Sequence, residues 1–122
     1  MRIVVVEDDP GVRGLLATGL ELEGHEVLSA PDGPAGLAMV AEMLPDAVVC
    51  DVMMPGMSGW DVVCALREDA RFEHLPVALL SARDSTDDTR HGYEAGASVV
   101  LPKPCDGGKL HEVLTALVSM RS

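Results

Sequence analysis

Four short hydrophobic runs, each followed directly by a polar residue, constrain the fold of this 122-residue chain more than any other feature. The runs cover residues 3–6, 47–50, 77–80 and 99–102. Uninterrupted runs of β-branched and aliphatic residues are typical of strands buried on both faces, as in a parallel sheet. The carboxyl ends of such strands meet at one edge of the sheet, where open α/β folds bind their ligands. We therefore expect the function to reside in the residues that follow the runs.

Those residues carry chemistry suited to phosphate. Glu7 and Asp8 follow the first run, Asp51 the second, Ser81 the third and Lys103 the fourth. Three neighbouring carboxylates repel one another unless they are protonated, paired or bound to a metal. Magnesium takes carboxylate oxygens together with water and phosphate oxygens, and phosphoryl transfer needs mainly positioning and charge neutralisation. If the runs are neighbouring strands, the sequence predicts a magnesium-dependent phosphoryl site.

Helical patterns separate the runs and predict a (βα)5 alternation. A more polar run at 26–30 is typical of an edge strand, and Asp9 and Asp106 are candidate helix caps. The apolar positions expected on buried helix faces are Val12, Leu15, Leu16 and Leu20; Leu37, Val40, Ala41 and Leu44; and Leu110, Val113, Leu114, Leu117 and Val118. A further helix is expected at about 60–67. The alternation predicts an α/β, doubly wound, flavodoxin-like three-layer sandwich with strand order 2-1-3-4-5.

The segment from Asp84 to Glu94 is the least convincing helix, because it has almost no apolar stripe. One interpretation is that tertiary contacts alone hold it. The other is that its low stability lets events at Ser81 reposition it for a partner, and this second interpretation is favoured.

Composition narrows the function classes. The net charge is −11, with one Trp, one Tyr and one Phe, which argues against direct binding of nucleic acid or anionic membranes. The length predicts a single domain over 1–122. No apolar stretch approaches the length of a membrane span and no signal-peptide pattern is present, so a cytoplasmic location is expected. Cys50, Cys64 and Cys105 form no CxxC pair and are expected to be packed, reduced thiols. The four histidines have no ligand spacing and are expected to face solvent.

Taken together, the strand-end motifs resemble the receiver domain of two-component response regulators, over essentially the whole chain. The motifs that carry the likeness are Glu7-Asp8-Asp9-Pro10, Asp51-Val52-Met53-Met54-Pro55-Gly56-Met57-Ser58-Gly59, Ser81-Ala82-Arg83, Gly96-Ala97 and Lys103-Pro104. The resemblance implies that Asp51 is the phospho-acceptor in a phosphorelay, with a histidine kinase or phosphotransfer protein as donor. It also implies a switched face for a target or output domain, which the sequence does not identify, and possible homodimers.

The resemblance assigns the remaining site residues. Asp8 and Asp51, with a carbonyl from the loop after Asp51, would fill part of an octahedral Mg²⁺ site. The resemblance implies that Asp8 binds the ion directly, Glu7 through water and Met53 through its backbone carbonyl. Ser81 stands where the family keeps a Thr or Ser that follows the phosphoryl group inward. Lys103 stands at the family's lysine, which is usually followed by a cis peptide to proline.

Four positions depart from the family pattern or lie where the family modulates the reaction. Val100 stands where a Tyr or Phe usually turns inward on activation, which puts that part of the switch in doubt. Cys105 replaces a common Phe, and Met53 and Arg83 lie at positions that tune the lifetime of the phosphate. Arg83 is a candidate for reaching the phosphoryl oxygens.

Three other functions compete with a phosphorylation-controlled switch, which would catalyse only its own modification and would not be a turnover enzyme. A degenerate receiver could dock partners without phosphorylation. An aspartyl-phosphate hydrolase similar to haloacid dehalogenases would want a second acid where Met53 stands. A flavodoxin-like nucleotide binder would want a Ser/Thr/Gly-rich loop in place of Glu7 and the two residues after it.

Overall fold

A computed structural model describes residues 1–82 and 86–121 and contains a five-stranded parallel sheet between two layers of helices. The strands are β1 Arg2–Val6, β2 Glu26–Ala30, β3 Ala47–Asp51, β4 Val77–Ser81 and β5 Val99–Pro102. The helices are α1 Pro10–Leu22, α2 Gly33–Met43, α3 Gly59–Glu68, α4 Thr86–Ala95 and α5 Gly107–Met120, with a short 3₁₀ helix at Ala70–Phe72. The strand order is β2-β1-β3-β4-β5, so the predicted three-layer (βα)5 architecture is confirmed.

The two faces of the sheet bury separate cores, which explains why the hydrophobic runs are uninterrupted. Val4 and Val6 of β1 face the core formed with α2, α3 and α4. Ile3 and Val5 face the opposite core, which α1 and α5 complete with residues such as Leu110. Because successive side chains of a strand point to opposite faces, a strand covered on both sides needs an apolar residue at every position.

Strand register brings the polar strand ends to one edge. Val6 lies opposite Cys50, so Glu7 and Asp51, the next residues along β1 and β3, are neighbours. Ser81 lies opposite Pro102 and accepts a hydrogen bond at 2.8 Å from the backbone N–H of Lys103. The strand order reverses at β1, because β2 and β3 lie on its two sides. The acidic residues therefore lie at the topological switch point, as predicted.

Helix α1 begins as its sequence predicts. The carboxylate of Asp9 accepts hydrogen bonds from the backbone N–H groups of Gly11 and Val12, and Pro10 occupies the first helical position. Asp106 caps α5 in the same way, by accepting from the N–H of Lys109 at 2.8 Å. Since these caps satisfy N–H groups that have no helical partner, they fix where the chain leaves the sheet edge.

The predicted buried faces of α1 and α2 were partly wrong. Leu15 of α1 is 76% exposed, and only Leu16 and Leu20 of its expected stripe are buried. In α2, Gly36 and Val40 form the buried face, while Ala41 is exposed and Leu44 lies beyond the helix as its left-handed cap. Glycine allows this close approach, because a Cβ at Gly36 would lie 2.6 Å from Cγ2 of Val6.

The expectation that all histidines face solvent was wrong for His25 and His111. Their rings are hydrogen-bonded, with His25 Nε2 2.8 Å from His111 Nδ1, and they join the start of β2 to α5. Burial, the nearby Met1 amino group and His111 lower the pKa of His25. His91 remains exposed but stacks on Trp60, with ring centroids 4.2 Å apart.

The cysteines are free thiols, and only Cys50 is fully buried. Burial raises the pKa of Cys50, and burial together with Asp106 raises that of Cys105. Both shifts disfavour the reactive thiolate. The prediction of packing was wrong for Cys64, which is exposed on α3. Among the described residues, no helix is long and apolar enough to span a bilayer.

Helices α1 and α5 touch backbone to backbone at Gly19 and Gly107. A Cβ at Gly107 would lie 2.6 Å from the carbonyl oxygen and 2.7 Å from the Cα of Gly19, and backbone atoms cannot move aside cheaply. We expect Gly107→Ala to lower the free energy of unfolding by about 2 kcal/mol, as overpacked cores do. The matched control is Gly14→Ala on the exposed side of α1, where nothing lies within 4 Å. It should raise stability by about 0.5 kcal/mol through helix propensity. Urea unfolding would contradict this account if both variants moved in the same direction.

Candidate functional site

Three carboxylates converge at the carboxyl ends of β1 and β3. One oxygen from each of Glu7, Asp8 and Asp51 lies within 4.8 Å of the others. Glu7 is 2% and Asp51 4% exposed, whereas Asp8 is exposed to solvent. The cluster is therefore open on one side and buried on the other. Such an acidic group could hold a metal ion.

Lys103 provides the positive charge next to this cluster. Its Nζ atom lies 2.7 Å from Oδ1 of Asp51, and its side chain is 35% exposed. The lysine follows β5 directly, and its peptide bond to Pro104 is cis. Because Asp51 is almost fully buried, this ion pair is screened less by water than a surface pair would be.

One charge does not balance three carboxylates, and the imbalance appears at Glu7. Burial, a side-chain hydrogen bond with Asp51 and the charge of Asp51 raise the pKa of Glu7 to about 7, against an ordinary value of 4.5. Its Oε2 atom is buried without a hydrogen-bond partner among the described residues. A cation at this point would supply the missing partner and lower the pKa. The donor set consists of oxygens only, which fits a hard cation such as Mg²⁺ or Ca²⁺.

We expect the metal-free protein to lose stability as pH rises from about 4.5 to about 7. The folded state binds the Glu7 proton more tightly than the unfolded state does, because the pKa is raised from 4.5 to about 7 on folding. The stabilisation is complete below 4.5 and is lost as pH rises through the folded pKa. Glu7→Gln, which cannot titrate, should flatten this slope in urea unfolding with a chelator present. An unchanged slope would show that another group is responsible.

Arg13, which the sequence analysis did not identify, fixes the loop that carries the acids. Its guanidinium donates to the backbone carbonyl of Glu7 at 2.8 Å, from the first turns of α1. The Asp9 cap and the Arg13 N–H bond to the Asp9 carbonyl place this side chain over the loop. An arginine in the first turns of a helix that follows an acidic loop was the available signal, but the contact depends on three-dimensional folding.

Gly59 positions Asp51 from the other side. Its N–H donates to the carbonyl of Val52 at 2.9 Å, and a Cβ at Gly59 would lie 2.9 Å from the Cα of Val52. Ser58 and Asp61 form a reciprocal capping box that fixes the start of α3. Helix α3 therefore begins in backbone contact with Asp51 and Val52, the end of the strand that carries the carboxylate. From the sequence, Gly59 is recognisable only as part of the motif that begins at Asp51.

The remaining predicted residues are placed as follows. Ser81 is 3% exposed at the end of β4, and its Oγ lies 3.4 Å from the carbonyl oxygen of Ala82. The Met53 side chain is exposed, in the loop after β3. Val100 is buried in β5 against α4, and Arg83 lies outside the described residues.

Comparison with known proteins identifies the family of the chain. The family profile described as "Response regulator receiver domain" matches residues 3–115. The chain is 47% identical over 105 residues to the response regulator PleD of Caulobacter vibrioides, covering 86% of this chain and 23% of that protein. It is 44% identical over 120 residues to the transcriptional regulatory protein PrrA of Mycobacterium tuberculosis, covering 98% and 51%. It thus spans at most about half the length of either relative.

Solved structures agree with this assignment. A putative response regulator from Chloroflexus aurantiacus J-10-fl superposes with a TM-score of 0.92 at 30% identity, covering 97% of both chains. The fold, the acidic cluster and the paired lysine thus occur together with a match over nearly the whole sequence. The chain belongs to the response regulator receiver domain family of two-component systems.

Proposed function

We propose that this domain accepts a phosphoryl group on Asp51 from a phosphohistidine donor and switches partner binding in response. The observation that carries the proposal is the buried Asp51 carboxylate, 2.7 Å from Lys103 Nζ and within 4.8 Å of two further acids. This arrangement holds a nucleophile next to one cation and at the place where a second can bind. Each cation should speed the reaction, because the attacking carboxylate and the phosphoryl group are both negatively charged and repel each other.

In the proposed site Asp8, Asp51 and the Met53 carbonyl would hold Mg²⁺, with Glu7 acting through water, and the ion would offset negative charge on the phosphoryl oxygens. An Asp51 oxygen attacks phosphorus, the P–N bond to the donor imidazole breaks, and a P–O bond to Asp51 forms. The imidazole leaves with the electron pair of the broken bond and takes a proton from solvent. Lys103 neutralises one phosphoryl oxygen, and the Ser81 hydroxyl donates to another.

Reversal of the modification is hydrolysis of the acyl phosphate by water. The domain is thus a cytoplasmic signalling module that catalyses only its own phosphorylation and dephosphorylation. Arg83 and Met53 are proposed to tune the second reaction, since both follow strands that end at the site. Because a bound cation lowers the pKa of Glu7, Mg²⁺ affinity should increase as pH rises through about 7.

The proposal is tested by incubating the protein with acetyl phosphate and Mg²⁺ and measuring intact mass. One added phosphate that disappears with a chelator is the expected result. Absence of a Mg²⁺-dependent adduct under these conditions and with a phosphorylated histidine donor would refute phospho-acceptance. The degenerate-receiver alternative would then stand, because the fold would still offer surfaces for docking.

An apolar groove beside the site suggests where the phosphodonor protein docks. A cavity of about 540 Å³ lies between α1 and the loop from β5 to α5. It is lined by Val12, Leu15, Leu16, Gly19, Leu80, Lys103, Pro104, Cys105, Asp106 and Gly107. Since Lys103 both lines the groove and contacts Asp51, an apolar helix face of the donor seated here would bring its phosphohistidine to the acceptor.

We expect Leu15→Asp to slow phosphorylation by the donor protein about 10-fold while leaving acetyl phosphate labelling unchanged. The exposed leucine contributes apolar area to the groove, and a carboxylate there would remain unsatisfied beneath an apolar partner. Leu22→Asp is the matched control, because Leu22 is also highly exposed on α1 (83%, against 76% for Leu15) but does not line the groove. Equal effects of the two variants on the donor reaction would place docking elsewhere.

The relatives suggest which kind of partner the phosphorylated domain controls. PrrA is named a transcriptional regulatory protein and PleD a response regulator, and both are longer than this chain. We infer that phosphorylation here controls an output domain or target protein, through the β4–α4–β5 region or a homodimer. The hydrolase alternative is disfavoured, because exposed Met53 stands where that mechanism needs a second acid.

A further inference from the structure

The hydroxyl of Tyr93 ties α4 to the free edge of the sheet. β5 pairs only with β4, so alternate backbone N–H groups of β5 have no strand partner. The N–H of Val100 is one of these, and it donates to the hydroxyl of Tyr93 on α4 at 3.2 Å. The tyrosine ring is half-exposed, so the hydroxyl contact and not deep burial holds its position.

Helix α4 also packs directly on β5 at Gly92, the residue before Tyr93. A Cβ at Gly92 would lie 2.6 Å from Cγ2 of Val100 and 3.2 Å from Cδ1 of Leu79, so there is no room for a side chain. Val100 thus occupies the position where the family usually has an aromatic residue, and Gly92 packs against its small side chain. The chain has one tyrosine, and that tyrosine reaches Val100 from the neighbouring helix.

These contacts are continuous with the site. Leu79 and Ser81 lie two residues apart on β4 and therefore point to the same face of the sheet. Ser81 ends β4, and only residues 82–85 separate it from Thr86, the first residue of α4. A shift of Ser81 toward a phosphoryl group on Asp51 would act on α4 through this short connection. The Tyr93–Val100 hydrogen bond, which joins α4 to β5, is placed to oppose such a movement.

We infer that Tyr93 is a positioning residue of the switch, whose hydroxyl holds α4 on β5 and opposes the phosphorylated conformation. The inference rests on the proposed function and adds the contact through which α4 responds. By linkage, a contact weakened in the phosphorylated conformation lowers affinity for anything that mimics the phosphoryl group. Removing the hydroxyl therefore favours that conformation.

The first test compares wild type with Tyr93→Phe for binding of beryllium fluoride with Mg²⁺, a phosphoryl mimic, by calorimetry. Loss of the Tyr93 hydrogen bond is expected to lower the dissociation constant of beryllium fluoride about 2- to 10-fold, so the variant should bind the mimic more tightly. Thr18→Val on α1, which also removes an exposed helix hydroxyl, should bind as wild type does. Equal affinity or weaker binding in Tyr93→Phe would overturn the inference.

The second test uses the single tyrosine as its own probe. In protein labelled with 3-fluorotyrosine, one ¹⁹F resonance reports the surroundings of Tyr93. It should shift when beryllium fluoride and Mg²⁺ are added, and stay unchanged with Mg²⁺ alone. A resonance that does not move although calorimetry detects binding would overturn the role of Tyr93 alone. Failure of the wild type to bind the mimic at all would overturn the proposed function as well.

Discussion

Replacement of Asp51 by asparagine is expected to abolish Mg²⁺-dependent phosphorylation, leaving no phosphate adduct by intact mass. An amide nitrogen or oxygen is a far weaker nucleophile than a carboxylate and does not form a stable acyl phosphate. Asp51 is the carboxylate that touches Lys103, whereas Oε2 of the other buried acid, Glu7, has no hydrogen-bond partner in the described part of the chain. No second acid of the cluster therefore has the paired geometry needed to take over.

The same replacement should lower the pKa of Glu7. The side-chain hydrogen bond that protonated Glu7 donates to Asp51 and the charge of Asp51 both raise that pKa, while burial would remain in the variant. The pKa should therefore fall below about 7 but stay above the ordinary 4.5. Carbon-detected NMR of the side-chain carboxyl during a titration measures it. A Glu7 pKa unchanged by Asp51→Asn would mean that burial alone sets the value.

Asp87→Asn is the matched control for the phosphorylation experiment. Asp87 is exposed at the start of α4 and pairs weakly with Arg90, with 3.5 Å between the charged atoms. This variant should be phosphorylated as the wild type is. Phosphate on the Asp51→Asn protein, located by peptide mass, would identify a different acceptor.

The sequence predicts the strands and the site edge well, because both depend on short-range rules. Residues 3–6 and 77–80 are apolar at every position, and only a strand covered on both faces requires this. Parallel pairing then brings every carboxyl end to one edge, so Glu7, Asp51 and Lys103 become neighbours without any knowledge of loop structure.

Contacts that seat the helices against the sheet could not be predicted in this way. Helix α2 packs closely on the sheet because Gly36, which has no side chain, lies against Val6. Hydrophobic periodicity does not detect such a contact, since glycine contributes no apolar side chain to the pattern. His25 and His111 meet across 86 residues of chain, and neither has a local partner that signals it. Tyr93 reaches β5 only because α4 packs across the free edge of that strand. The sequence pattern does not predict where a helix crosses the sheet.

Lys103→Met should slow phosphorylation by acetyl phosphate about 100-fold, the size of effect seen when one preorganised donor to a developing charge is removed. The Nζ atom 2.7 Å from Asp51 is the protein's own cation at the acceptor, and methionine keeps most of the side-chain volume. A metal ion can balance part of the charge, so the reaction should be slowed and not abolished. Asp51→Asn, by contrast, removes the nucleophile itself.

The same variant should lower the free energy of unfolding of the metal-free protein by about 2 kcal/mol at pH 8, less than for a fully buried pair because Lys103 is 35% exposed. It leaves the Asp51 carboxylate buried beside Glu7 without its cation. Since protonated carboxyls need no cation, the loss should shrink as pH falls below the Glu7 pKa of about 7.

Two further variants separate charge from geometry in this prediction. Lys103→Arg keeps the charge and should recover most of the stability but less of the rate, because a planar guanidinium cannot occupy the place of a compact ammonium. Lys109→Met removes an exposed lysine at the start of α5 and should change neither quantity. If Lys103→Met and Lys109→Met gave equal phosphorylation rates, the ion pair with Asp51 would be structural and the phosphoryl oxygens would be neutralised without Lys103.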